Sequence, residues 1–279
     1  MIKPNSIDLV IYHRNCADGF GAAYSAWKLL GDKAEYYAAL HNEDPPDVKN
    51  KRVAILDFSY KNKVLKQMIR DADELIVIDH HKSAMIDLQD IPNMIFDMDH
   101  SGARLAWDFF HPDKEPPKFI NYIEDRDLWK WQLPQSREFS AAFDMVPFNF
   151  EEYQKLEDES VFEATVVHGT YILSYSKTVV EKICNMASPR KLRGLDVLVV
   201  NSSHLISDVG SKLARNCDFA MIWYYDHKRK KAKVSLRSRA EHIDVSEIAK
   251  FYGGGGHKRA AGFVLPTGYH VDHLFDVEQ

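Results

Sequence analysis

The chain is short of the features that announce whole classes of protein. No apolar run approaches the ~18 residues needed to cross a bilayer, and the opening MIKPNSIDLVIYH lacks the apolar stretch of a signal peptide. A cytoplasmic protein without a membrane partner is the expectation. Its three cysteines, Cys16, Cys184 and Cys217, are widely spaced and odd in number, which argues against a disulfide framework and against structural zinc. Neither sign of charge dominates: 36 Lys and Arg face 41 Asp and Glu, for a net charge of -5, so long duplex DNA is not an expected partner. With 45% hydrophobic and 28% charged residues, disordered, collagen-like and coiled-coil chains are excluded, and 279 residues suit two modest domains.

What is present is an alternation of short apolar runs with helix-like stretches. Residues 8–12 (DLVIY), 53–56 (VAIL), 75–78 (LIVI) and 94–96 (MIF) read as buried strands, and 21–30, 61–72 and 102–110 between them have helical apolar spacing. That order predicts an α/β fold with a doubly wound parallel sheet in residues 1–148. Residues 117–131 read as a helix running into an aromatic turn, and 149–190 as a helical connector. Residues 191–279 then change pattern, with strands at 196–200, 219–225, 232–238 and 262–265 and helices at 207–216 and from Asp244 to Gly253. Asp244 with Glu247 three residues later makes a capping-box pattern. A smaller, mixed-sheet α/β domain is expected there.

Open parallel sheets bind ligands beyond the carboxyl ends of their strands, so the residues after each apolar run carry the most information. His13 and Asp18 follow the first run, Asp57 the second, and Asp79, His80 and His81 the third; Asp125 and Asp127 sit in IEDRDLW. Each alone is compatible with a helix cap, a turn former or a hydrogen-bonded structural histidine. Together they place carboxylates and imidazoles at one rim, a donor set suited to Mn²⁺ or Mg²⁺.

The second domain carries its own pattern. Four glycines, 253–256, precede His257, Lys258 and Arg259; such a run lets backbone N–H groups approach an anion, above all where a helix follows. In KVSLRSR, Val234 and Leu236 face one side of a strand while Ser235, Arg237 and Arg239 face the other, so that the two arginines form a fork for phosphate or a solvated basic edge. Trp129, Trp131, Phe143 and Phe148 either fill the core or stack on a base.

The DHH tripeptide 79–81, the His…AspGly segment from His13, the Asp of ILDFS, the SGA at 101–103 and GGGGHKRAAGF at 253–263 together resemble, in order and over nearly the whole chain, the DHH phosphoesterase superfamily. The resemblance implies a DHH metal-binding catalytic domain at 1–148, a linker at 149–190 and a DHH-associated substrate-binding domain at 191–279, with substrate in a cleft between them. It further implies that Asp57 bridges two metal ions, Mn²⁺ with Mg²⁺ or Co²⁺ as substitutes, and that His13, Asp18, His80 and Asp125 complete the ligands, with Asp127 as the fallback for Asp125. His81 would contact the phosphate, Asp79 would orient an imidazole, and Arg237, Arg239, Gly254, Gly255, Gly256 and His257 would hold substrate. The sequence departs from the family at the first motif: Ala17 and Gly19 stand where many members have two aspartates, leaving Asp18 as the single acid and Cys16 or Asn15 near the other's place, in a Cys-x-Asp-Gly form.

The expected activity is metal-assisted hydrolysis of a phosphoester in a short nucleotide substrate, by a nanoRNase-like 3′-5′ exonuclease or a pAp or dinucleotide phosphodiesterase. A processive RecJ-type nuclease is not expected, because 279 residues leave no further nucleic-acid-binding domain. The alternatives are an exopolyphosphatase or pyrophosphatase and, from another class, a non-catalytic nucleotide-binding protein. A homodimer is compatible with the sequence.

Overall fold

The structure is a computed structural model and describes residues 2–41 and 43–276, so the outer limits of the sequence-based domains, at 1 and 279, lie outside it. Its chain begins β1 (Leu9–His13), α1 (Ala17–Leu30), β2 (Glu35–Ala39), β3 (Arg52–Leu56), α2 (Asn62–Asp71), β4 (Glu74–Asp79), α3 (Lys82–Asp87), β5 (Met94–Phe96) and α4 (Gly102–Phe110). The five strands form one parallel sheet in the order β2-β1-β3-β4-β5. Side chains of β1, β3 and β4 alternate between two buried layers, which explains their unbroken apolar runs. Val10, Ala54, Leu56, Ile76 and Ile78 pack under α1 and α4, while Leu9, Ile11, Val53, Ile55, Leu75 and Val77 pack against α2. Each fully buried Val, Leu or Ile stabilises the sheet by about 1.5–3 kcal/mol.

β2, EYYAA, escaped the sequence reading for a physical reason: it is an edge strand whose side chains are mostly half-exposed, so no apolar run marks it. At the opposite end of the strands, Asp8 ties three of them together. Its carboxylate accepts bonds from Nε of Arg52 (2.8 Å), Nη2 of Arg52 (2.7 Å) and the Arg52 backbone N–H (2.9 Å), and its carbonyl accepts from Glu35 N–H (2.8 Å).

Four helices follow: α5 (Lys118–Asp127), α6 (Ser136–Phe143), α7 (Phe150–Lys155) and α8 (Glu159–Cys184). They enclose an aromatic core in which Phe119, Phe139, Phe143, Tyr153 and Phe162 meet Phe20 and Tyr24 of α1. The chain divides into two compact units inside α8, between Leu173 and Ser174, so the segment 149–190 contributes to both.

The second unit contains β6 (Ser188–Leu192), β7 (Leu195–Asn201), α9 (Ile206–Leu213), β8 (Phe219–Asp226), β9 (Lys231–Arg237), α10 (Val245–Phe251), β10 (Gly255–His257) and β11 (Ala260–Val264). Its six-stranded sheet has the order β10-β11-β9-β8-β7-β6 and is antiparallel except for β7 beside β8. Val234 and Leu236 point into the core with Val245 and Ala249 of α10, as the strand alternation predicts. Asp244 does cap α10, accepting the Ser246 N–H at 2.9 Å, whereas Glu247 pairs with Lys250 at 2.6 Å instead of closing a capping box.

Candidate metal centre and anion pocket

Strand order reverses between β1 and β3, and in an open parallel sheet the crevice at such a reversal, beyond the strands' carboxyl ends, is where ligands sit. His13 ends β1, Asp57 follows β3 and Asp79 ends β4, so the topology itself delivers these side chains to one rim. Asp57 has φ 53°, a left-handed conformation that aspartate tolerates better than most residues and that re-aims its carboxylate out of the strand direction.

The carboxylate of Asp57 is the hub. It is 2% exposed, and each oxygen faces a different set of donors. Oδ2 lies 3.6 Å from Nδ1 of His13, in a group that also includes the Sγ of Cys16. Oδ1 lies 3.3 Å from Nε2 of His80, which in turn stands 3.6 Å from Oδ2 of Asp18 and 3.6 Å from Oδ2 of Asp127. Neither imidazole makes a well-aligned hydrogen bond, and both Asp57 oxygens are buried acceptors without a donor. Burial opposes ionisation of Asp57, but the nearby imidazoles of His13, His80 and His81 outweigh it and hold the carboxyl down at about 2. Asp18 behaves oppositely: burial, then repulsion from Asp57 and Asp127, push its carboxyl well above the usual range, and burial likewise pushes Asp127 up. Burial depresses the basicity of His80, yet the surrounding carboxylates raise it overall. Burial, followed by the charge of Asp57, raises the thiol of Cys16.

Clustered, buried carboxylates with orphaned oxygens are electrostatically incomplete without a cation. The donors present, carboxylate oxygen with imidazole nitrogen and one sulfur, fit divalent metal ions: Asp57 belongs to one group with His13 and Cys16 and to another with Asp79, His80 and His81, and His80 in turn meets Asp18 and Asp127 in a third.

Asp18 does more than face His80. Its two oxygens accept the N–H groups of Gly102 (2.7 Å) and Ala103 (2.9 Å), pinning the start of α4 to the site. That is the local meaning of the SGA segment, whose Ser101 also accepts the Arg104 N–H. A Cβ on Gly102 would lie 2.7 Å from Oδ1 of Asp57. Asp79 orients His81: its Oδ1 meets Nδ1 of His81 at 2.7 Å and accepts the His80 N–H at 2.8 Å. The bond to Asp79 raises the basicity of His81 and leaves Nε2 of this half-exposed ring free to address a ligand.

One expected ligand is displaced. Asp125 turns away from the cluster, and its oxygens accept the N–H groups of Gln132 (2.8 Å) and Leu133 (3.4 Å), while Asp127 faces His80. Residues two apart on a helix point to different sides, so only one of the pair can reach the rim. Asp125 instead fastens the turn that carries Trp129 and Trp131, both with positive φ. That turn borders a cavity of about 750 Å³ lined by His13, Cys16, Asp18 and Asp127 together with Trp129, Met145 and Phe148. Trp129 is 73% exposed, and Phe148 is also exposed, whereas Phe143 is core.

In the second unit, Arg237, Arg239 and Arg259 line a pocket of about 440 Å³. Among the described residues, none of the three has a carboxylate partner; they hydrogen-bond to Ser207 (3.2 Å), Ser211 (3.0 Å) and the Arg239 carbonyl (3.2 Å). The glycine run enters a strand, not a helix as the anion-cradle reading favoured. Gly255, Gly256 and His257 form the edge strand β10, and a Cβ on Gly256, at φ 142°, would lie 2.5 Å from Cα of Ala261. Register aligns Arg237 with Ala260 and Ala260 with His257, leaving one alanine between the arginine and the imidazole on the same sheet face. Arg259 is the functional candidate that sequence reasoning left unassigned; its place after the glycine run was the available signal.

A doubly wound domain with clustered metal donors at its switch point, and a separate unit presenting an arginine pocket, fit the arrangement that the resemblance to metal-dependent phosphoesterases implies. Comparison with known proteins agrees. The DHHA1 domain family matches residues 197–277. An uncharacterised protein of Acanthamoeba polyphaga mimivirus is 34% identical over 95% of this chain and 69% of its own. The oligoribonuclease NrnB of Bacillus subtilis is 23% identical over 71% of this chain and 54% of its own. The solved structure of PggH, a pGpG-specific phosphodiesterase from Vibrio cholerae, shares the fold with a TM-score of 0.54 at 15% identity, covering 93% of each chain. The chain belongs to the DHH phosphoesterase superfamily. Among the described residues, no helix is long and apolar enough to cross a membrane.

Proposed function

We propose that this protein hydrolyses phosphoester bonds in short nucleotide substrates, with Mn²⁺ as its preferred ion at the Asp57 cluster. The observation that carries the nucleotide reading is the cavity beside the cluster, which both metal donors and the exposed residues Trp129 and Phe148 line. A phosphate near the donors then leaves a base within reach of a stacking surface, worth about 1–3 kcal/mol per base. The similarity to an oligoribonuclease supports the same substrate class.

The residues divide the work. His13, Asp18, Asp57, His80 and Asp127 would hold the metal, which when bound would neutralise phosphoryl oxygens and lower the pKa of the attacking water. His81, kept basic by Asp79, presents Nε2–H to the phosphate and can donate a proton to the departing oxygen. In the second unit, Arg237, Arg239 and Arg259 line a pocket that would bind a phosphate group.

A second reading, hydrolysis of inorganic polyphosphate, is favoured by the arginine pocket alone, which recognises phosphate and not base. The deciding assay compares a labelled dinucleotide, a longer oligonucleotide, pAp, a cyclic dinucleotide and polyphosphate in Mn²⁺. The proposal expects the dinucleotide or pAp to lead, with Trp129→Ala weakening it at least about fivefold through lost stacking. Cleavage of polyphosphate alone would overturn the nucleotide reading, and tight binding without turnover in Mn²⁺, Mg²⁺ or Co²⁺ would overturn catalysis.

A further inference from the structure

The two groups of donors that share Asp57 are chemically unequal. Around His80 every partner offers oxygen or nitrogen, Asp18 and Asp127 in one group and Asp57, Asp79 and His81 in another, whereas around His13 and Asp57 the third donor is the sulfur of Cys16. Cys16 occupies the position immediately before α1, makes no capping bond, and its Sγ, the His13 imidazole nitrogen and an Asp57 oxygen all lie within 4.8 Å of one another. The Asp57 oxygen that faces this group, Oδ2, is buried and unpartnered, so the group has an open demand for positive charge independent of the cysteine. The other two cysteines are engaged elsewhere, Cys184 near the Val209 carbonyl and Cys217 near the Leu213 carbonyl.

We propose that the thiolate of Cys16 is a metal ligand, completing with His13 and Asp57 a sulfur-containing position that prefers Co²⁺, Zn²⁺ or Fe²⁺ over Mg²⁺, beside an Asp18–His80–Asp127 position that takes harder ions. Thiolates select softer divalent ions and carboxylates select Mg²⁺ and Mn²⁺, so one shared carboxylate would join two sites of different taste. The thiol proton leaves as the metal enters, and loading at this position therefore releases a proton. The inference rests on the cluster being a metal centre at all, and adds which ion each half takes.

The test is a Co²⁺ titration of the full chain under a non-chelating reductant, read by the near-ultraviolet thiolate-to-cobalt charge-transfer band, with Co²⁺ and Mn²⁺ binding measured in parallel by calorimetry. Wild type should develop the band. Cys16→Ser, close in size to the original, should lose it and bind Co²⁺ at least about tenfold more weakly, the lower end of what removing even a residue that merely supports a ligand costs. Cys16→Asp should also lack the band while binding Mn²⁺ more tightly than wild type. Circular dichroism on each variant establishes that it is folded. Calorimetric Co²⁺ binding without the band in wild type, or a band that survives in Cys16→Ser, overturns the ligand assignment and leaves the metal centre standing. Absence of any Co²⁺ or Mn²⁺ binding to wild type overturns the metal centre itself.

Discussion

Gly102→Ala is the sharpest single perturbation of the site, because it adds one methyl group and removes nothing. That methyl would lie 2.7 Å from Oδ1 and 2.8 Å from Cγ of Asp57, where ordinary contacts begin at 3.4 Å. Neither side can yield easily. The Gly102 N–H is held by Asp18 at 2.7 Å, α4 packs on the sheet through Leu105 and Ala106, and Asp57 is buried with its own N–H bonded to the Ile78 carbonyl at 2.9 Å. Something must retreat by roughly 1 Å, and overpacking of this kind costs about 1–3 kcal/mol. The same displacement moves the shared carboxylate relative to His13 and His80, and a 1 Å misplacement of reacting geometry costs about 100-fold in rate. The expected result is a folded protein whose urea midpoint falls by the equivalent of about 1–3 kcal/mol and whose Mn²⁺-dependent turnover falls about 100-fold. Turnover within twofold of wild type, at unchanged stability, would refute the claim that Gly102 is required by the closeness of Asp57.

Asp57→Asn should leave circular dichroism unchanged and lower metal-dependent turnover by more than about 100-fold, since several kcal/mol of charge stabilisation depend on the ion it holds; near-normal turnover would exclude its role. Asp127→Asn should weaken Mn²⁺ binding by calorimetry, whereas Asp125→Asn should leave it intact and instead destabilise the Trp129 turn by about 1–3 kcal/mol; the reverse ranking would restore Asp125 as the ligand. Arg52 beside Asp8 lowers the Asp8 carboxyl below its ordinary value. A depressed acid contributes its full stability above the unfolded-state value of about 3.9 and loses it as pH falls through the lower folded value. Because the pair is half-exposed, the contribution is about 0.2–1 kcal/mol, and Asp8→Asn should show a smaller loss of urea midpoint between pH 6 and pH 3 than wild type. Equal losses would remove Asp8 from the acid response.

What the sequence made legible follows from burial. β1, β3 and β4 are buried on both faces and announce themselves as apolar runs; β2, with its half-exposed tyrosines Tyr36 and Tyr37, and β10, made of glycine and histidine, do not. The residues after the visible strands, His13, Asp57, Asp79, His80 and His81, were therefore readable as one group. Asp125 and Asp127 were not separable, because they are contributed by a helix whose rotation about its axis no strand pattern records. The anion pocket was half visible: alternation in β9 marked Arg237, whereas Arg259 joins it through strand pairing at long sequence range.

The reversal of strand order between β1 and β3 has a consequence for how such a protein can change. The gap there arises from the path of the backbone, so no particular side chain is needed to keep it open. Residues at that seam can be exchanged, an aspartate for a thiol among them, while the sheet folds as before. Chemistry at this rim is thereby separated from the pairing of the strands, and a lineage built on it could alter its choice of ion while keeping the same strand order.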